Sequence, residues 1–238
     1  SSGDVTDYLG VNNGTAVADA VQTDNGYMGK GFEFDGDDDY IVIGDPADGS
    51  LDFDGDTSFT YSMWVYAKSN VGAWDMPFWK GGSNVGTAGY DIELGTGAWT
   101  THLANGSVGK TGTFSAAPIL NTWVMLSATV DRSTNEFTIY LNGTQIGSAI
   151  DVTGYGSVAG TSSATLGANS GGSYDFNGTM DDVMIFNRSL SAEEIKGLYA
   201  NNTAKYLNSS MTVAEGTHDI TYYSQDMAGN IASSTASS

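Results

Sequence analysis

The residues best able to do chemistry in this chain are carboxylates, and they come in clusters. The stretch FEFDGDDDYIVIGD, from Phe32 to Asp45, sets Asp35, Asp37 and Asp39 at alternate positions with Asp38 between them. Oxygen clusters of this kind suit calcium, which takes about six to eight oxygen ligands. They suit a solvated turn equally well, because Asp-Gly pairs favour turns. The alternation is not an EF-hand: Gly36 falls too early, the closing glutamate is missing and no helices flank the loop. A second acidic run, DPADGSLDFDGD from Asp45 to Asp56, reads as a solvated loop.

Two other groupings could act on a ligand. In DIELG, Asp91 and Glu93 form an i, i+2 pair, which shares one face of a strand. Glycoside hydrolysis needs two carboxylates flanking the scissile bond, but position 95 is Gly. The histidines, His102 and His218, lie far apart, and no nucleophile elbow accompanies either. The glycine-rich segment VGAWDMPFWKGGSNVGTAGYDIELGTGAWTTH carries Trp74, Tyr90 and Trp99 as candidate stacking faces for sugars.

These groups must be held by strands. SFTYSMWVYA places Phe59, Tyr61, Met63 and Val65 on one face and Trp64 and Tyr66 on the other, so both faces should be covered. Trp64 and Trp123 read as core. NEFTIYLNGTQIG alternates Phe137, Ile139 and Leu141 with polar positions, then turns at Asn142-Gly143, a strong hairpin signal. One helix is expected near residues 191–199, with Ser191 and Glu194 as a capping box and Ile195, Leu198 and Tyr199 as its apolar stripe. After Tyr199 the texture turns polar, and the last 40 or so residues hold two or three strands, too few for an immunoglobulin-like sandwich.

Composition narrows the partners. Net charge is −20, with 8 basic against 28 acidic residues, so phosphate-rich nucleic acid is excluded as a natural partner. Gly at 32 and Pro at 3 fit many short strands joined by glycine turns. No apolar run of about 18 residues could span a membrane as a helix. The absence of Cys leaves the redox compartment unread. Seven Asn-x-Ser/Thr triplets, at Asn13, Asn105, Asn142, Asn177, Asn187, Asn201 and Asn208, lean toward an extracellular, glycosylated chain. The chain starts without Met and reads as a piece of a longer precursor or a mature product.

From about Asp4 to Ala200 the sequence resembles the laminin-G-like, concanavalin-A-like jelly-roll family in its prokaryotic surface-protein form. Five motifs in order carry the resemblance: DYLGVNNGT, GKGFEFDGDDDYIVIGD, SFTYSMWVYAKS, NTWVMLSATVDRSTNEFTIYLNGTQIG and FNGTMDDVMIFNRSLSAEEIKGLY. The tail, EGTHDITYYSQDMAGN, resembles the last strands of an immunoglobulin-like repeat.

The resemblance implies an all-β, two-sheet antiparallel jelly-roll sandwich over residues 1–200, followed by a partial immunoglobulin-like segment over 201–238. It implies calcium, with Asp35, Asp39 and Asp181 as ligands and Asp182 as alternate, and it places Trp79 in the core. The enzymes of this fold carry catalytic carboxylates as Glu-x-Asp-x-Glu along one strand, a pattern missing here. The expected function is a non-catalytic, extracellular or cell-surface domain that binds a glycan or a surface protein. The alternatives are a structural subunit of a filament or surface layer, self-assembling by strand addition through the tail, and a glycoside hydrolase.

Overall fold

The computed structural model describes residues 5–70, 74–82, 86–203, 219–225 and 231–237. The chain divides into two compact units, Ser1–Lys205 and Tyr206–Ser238. In the first unit the strands run β1 (Thr15–Val17), β2 (Val21–Gly26), β3 (Gly29–Asp35), β4 (Tyr40–Gly44), β5 (Phe59–Ala67), β6 (Trp74–Lys80), β7 (Ala88–Gly95) and β8 (Trp99–Asn105). They continue as β9 (Gly109–Ser115), β10 (Trp123–Asp131), β11 (Glu136–Leu141), β12 (Thr144–Gln145), β13 (Ile150–Asp151), β14 (Ala164–Leu166) and β15 (Asn177–Phe186), before helix α1 (Ala192–Thr203). The second unit pairs β16 (Asp219–Gln225) with β17 (Ile231–Ser237) in antiparallel register.

Two antiparallel sheets make the first unit. One has seven strands in the order β1-β4-β14-β6-β7-β8-β9. The other has eight, in the order β12-β11-β10-β5-β15-β3-β2, with β13 added against β11. The order is far from the sequence order, as a jelly-roll sandwich requires.

Alternation decides what lies between the sheets. Phe59, Tyr61, Met63 and Val65 of β5 enter the main core with Tyr90, Ile92 and Leu94 of β7. Trp64 points the other way and joins a second cluster with Met125, Tyr140, Leu190 and Ile195. Its ring stacks between Tyr27 and Tyr199. The helix therefore covers the outward face of the eight-stranded sheet. Ser191 and Glu194 cap it reciprocally: the Glu194 N–H donates to Ser191 Oγ at 3.3 Å and the Ser191 N–H to Glu194 Oε2 at 2.9 Å. It runs to Thr203, past the expected end near 199, because packing of Ile195, Leu198 and Tyr199 stabilises it more than Gly197 weakens it. The turn at Asn142-Gly143 has both residues at positive φ, 51° and 73°.

The acidic run after Asp45 is not simply a solvated loop. Lys80, only 1% exposed, donates from Nζ to Asp45 at 2.8 Å, to Asp52 at 3.1 Å and to the Gly160 carbonyl at 2.8 Å. A buried ammonium needs such partners, so two of these acids anchor the loop to β6.

Candidate functional site

With one outward sheet face covered by α1, the outward face of the seven-stranded sheet is where a site can form. Core residues Ile92 and Leu94 send Asp91 and Glu93 to that face. Trp79 pairs with Asp91, Thr165 with Trp79, Val42 with Thr165 and Thr15 with Val42. On the other side His102 pairs with Thr111 and bonds Asp91. One cross-strand row thus crosses the whole sheet: Thr111, His102, Asp91, Trp79, Thr165, Val42 and Thr15. Trp79 is buried, as expected, but against this outward row, since Phe78 is the residue that enters the core.

A β-bulge between Asp75 and Phe78 has a further effect. Trp74 and Trp79 are five residues apart and would face opposite ways in a regular strand. The extra residue of the bulge lets Trp74 pair with Gly95 and Trp79 with Asp91, so both stand on the outward face. Trp74 is 51% exposed, and Gly95 beside it offers no side chain to cover the ring. Tyr174, 47% exposed, stands at the same end of β6, where its carbonyl accepts the Met76 N–H.

The other two expected stacking residues are placed elsewhere. Tyr90 and Trp99 are fully buried in the main core. The Tyr90 hydroxyl donates to the Leu51 carbonyl, and the Trp99 indole donates to that of Ile119. Both sit on the inward parity of their strands, so neither shows a face to a sugar.

At the centre of the row, Asp91 Oδ1 accepts the His102 backbone N–H at 2.9 Å and lies 3.0 Å from His102 Nδ1. Glu93 Oε1 lies 3.8 Å from His102 Nε2 and accepts the Thr100 hydroxyl at 2.9 Å. Burial, with the charge of Glu93, pushes the Asp91 carboxyl up to about 6 against the pull of His102. Burial pulls His102 down, but the hydrogen bond and charge of Asp91, with the charge of Glu93, outweigh it and leave it raised. Among the described residues, Asp91, Glu93 and His102 form the group of His and acids whose ligand atoms lie within 4.8 Å of one another. The sequence showed Asp91 and Glu93 as a pair but not their link to His102. The available signal was symmetry: residues 91 and 102, like 93 and 100, are equidistant from the turn closed by Gly95 and Ala98.

The four expected calcium ligands are not brought together. Asp35 pairs with Asn177 and Phe32 with Met180, so Asp181 lies about 13 Å farther along β15 at the usual strand rise. Both Asp181 oxygens accept backbone N–H groups, Oδ2 from Met28 and Oδ1 from Asp182, each at 2.8 Å. Burial and the charge of Asp181 push Asp182 up to about 6. Both line a cavity of about 270 Å³ with Phe34, Ile41, Leu166 and Met180, whose walls are chiefly apolar. The acid that meets the Asp35 turn is Asp175: burial raises its carboxyl, and the charges of Asp37, Asp38 and Asp35 push the same way. Asp39 Oδ2 accepts the Asp35 N–H at 2.9 Å, and burial pushes its carboxyl up to about 6. Asp39 Oδ1 and Asp175 Oδ1 are buried without a hydrogen-bond partner, an arrangement that an oxygen-seeking cation would fit.

Among the glycosylation triplets, Asn13 and Asn187 are exposed. The Asn105 and Asn177 amides donate to the carbonyls of Tyr155 and Asp35, and Asn142 Oδ1 accepts the Met125 N–H. Asn201 lies in α1, and Asn208 falls outside the described residues. Among the described residues, no helix is long and apolar enough to cross a membrane.

Solved structures similar to this chain include the binding domain of Paraclostridial Mosquitocidal Protein 1, at TM-score 0.65 and 17% identity, over 81% of this chain and 48% of that one. The Botulinum neurotoxin serotype G binding domain matches at TM-score 0.64 and 14% identity, over 81% and 47%. The serotype D ligand binding domain, solved in complex with N-acetylneuraminic acid, matches at 0.62 and 15%, over 81% and 47%. This chain spans about half the length of these neighbours. No curated protein matches the sequence. The family model described as the Concanavalin A-like lectin/glucanases superfamily matches residues 35–196, more than half of the chain, and together with the two-sheet jelly roll this places the chain in that family.

Proposed function

We propose that this chain is a non-catalytic glycan-binding or adhesion domain that works outside the cell or at its surface, with the outward face of the seven-stranded sheet as its ligand face. The observation that carries the reading is Trp74, half exposed and standing on the same face as the Asp91–His102 row. An exposed aromatic ring on a face that also presents the hydroxyls of Thr111 and Thr113 offers a sugar both stacking and hydrogen bonds. The neurotoxin domain solved with N-acetylneuraminic acid supports the class of ligand. Catalysis is disfavoured because Asp91 is fully buried and engaged by His102, so no glycosidic bond fits between Asp91 and Glu93. Calcium belongs to this reading as a structural ion at Asp35, Asp39 and Asp175, in place of the Asp181 set. A glycan array probed with the wild type and Trp74→Ala tests it: binding that survives the substitution unchanged, or no binding in calcium buffer, overturns the ligand face.

A second reading, a filament or surface-layer subunit, draws on β16 and β17, which pair only with each other among the described residues. A two-stranded sheet is marginal alone, and its open edges invite a strand from another chain. Sedimentation showing a monomer at every concentration removes this reading.

A further inference from the structure

Asp91 is fully buried, yet only one of its oxygens is used. Oδ1 takes both bonds from His102, while Oδ2 is enclosed and has no hydrogen-bond partner. Protonated or charged, that oxygen has an unmet bonding capacity, and buried polar atoms in folded proteins are rarely left so. Its cross-strand neighbour Trp79 has a second such atom, the buried Nε1–H. Two carboxylates also share one imidazole here, so the buried group lacks positive charge even when His102 is protonated. The unmet Asp91 oxygen and the surplus negative charge ask for a small cation at the floor of the row, with His102, 15% exposed at its side chain, as the way in.

We propose that Asp91, Glu93 and His102 form a binding site for a divalent first-row transition-metal ion of the zinc or manganese class. Imidazole nitrogen favours such ions over calcium and magnesium, which prefer oxygen throughout. Three protein ligands leave positions for water. The three ligand atoms already lie within 4.8 Å of one another, so small side-chain movements bring them onto one ion. Two of the ligands are on β7 and the third on β8, strands joined by the Gly95–Ala98 turn. The site is therefore rigid and does not depend on sugar being present.

The test uses the full chain, stripped with chelator and free of glycan. Zn²⁺ and Mn²⁺ are titrated by calorimetry, with Ca²⁺ and Mg²⁺ as comparisons. One Zn²⁺ or Mn²⁺ per chain is expected, with a melting temperature raised by roughly several degrees at saturating ion. His102→Gln should weaken binding by at least about tenfold, the loss known for outer-shell partners of a metal. A second readout, independent of heat and of folding stability, follows the His102 imidazole by NMR. Bound Mn²⁺ should broaden the signal that His102→Gln removes. The proposal is overturned if neither ion binds, if His102→Gln binds as tightly as the wild type, if Ca²⁺ binds the same place equally well, or if the His102 signal does not respond to Mn²⁺. None of these outcomes depends on glycan binding, so failure here and failure of the ligand-face reading are read separately.

Discussion

The ammonium of Lys80 lies 2.8 Å from Asp45 Oδ1, inside the protein, with Asp52 at 3.1 Å completing the clamp. One buried cation thus ties a long acidic loop to the centre of a sheet. Lys80→Met removes the cation and leaves two part-buried acids facing each other. It should cost about 3–5 kcal/mol in chemical denaturation. Adding Asp45→Asn and Asp52→Asn to that variant should recover part of the loss, and a triple variant no better than the single one would contradict the clamp.

Trp74 and Trp99 should behave oppositely on truncation. Trp99→Ala empties a fully buried site and should destabilise by about 3–5 kcal/mol. Trp74→Ala should leave the melting temperature nearly unchanged and weaken glycan binding by about tenfold, equivalent to ~1.4 kcal/mol. Thermal melts and binding isotherms on the same two preparations decide it.

Stability should rise as pH falls from 7.5 toward 5 in chelator-treated protein. Burial holds the Asp39 and Asp182 carboxyls at about 6, above the usual 3.8. A folded pKa above the unfolded one means that the folded state keeps its protons longer. That stability is full below the unfolded value and is lost as pH rises through about 6. Half-buried Asp131 and exposed Asp151 are shifted down by hydrogen bonds from Ser133 and Thr153, so their contribution is lost only as pH falls below the usual carboxylate range. Calorimetry should show a melting temperature roughly several degrees higher at pH 5 than at 7.5, with a smaller difference in Asp39→Asn. A fall in melting temperature toward pH 5 would refute this.

Calcium affinity should follow Asp175 and not Asp181. The Asp181 oxygens are already committed to the N–H groups of Met28 and Asp182. Asp175→Asn should weaken Ca²⁺ binding by about tenfold or more, whereas Asp181→Asn should leave it within about twofold; the ~1.4 kcal/mol difference is within reach of calorimetric titration. The reverse ranking would restore the Asp181 set.

Much of the scaffold is written locally. Alternation in β5 predicts the two faces that Phe59 and Trp64 occupy, Asn142-Gly143 predicts the hairpin, and Ser191 with Glu194 predicts the start of α1, because each depends on backbone geometry within a few residues. What the sequence could not determine is which residues face each other across strands. Asp35 meets Asn177 and Asp175 rather than Asp181 through the register of β3 against β15, which is set some 140 residues apart. Trp74 joins Trp79 on one face only because a bulge shifts the alternation of β6. Lys80 is buried only because the sandwich brings Asp45 and Asp52 to it. Composition and local pattern determined an acidic chain of many short strands, and its ordered motifs carried the resemblance that implied a jelly roll; register and bulge, which depend on long-range pairing, decided which of its carboxylates and aromatic rings form a site.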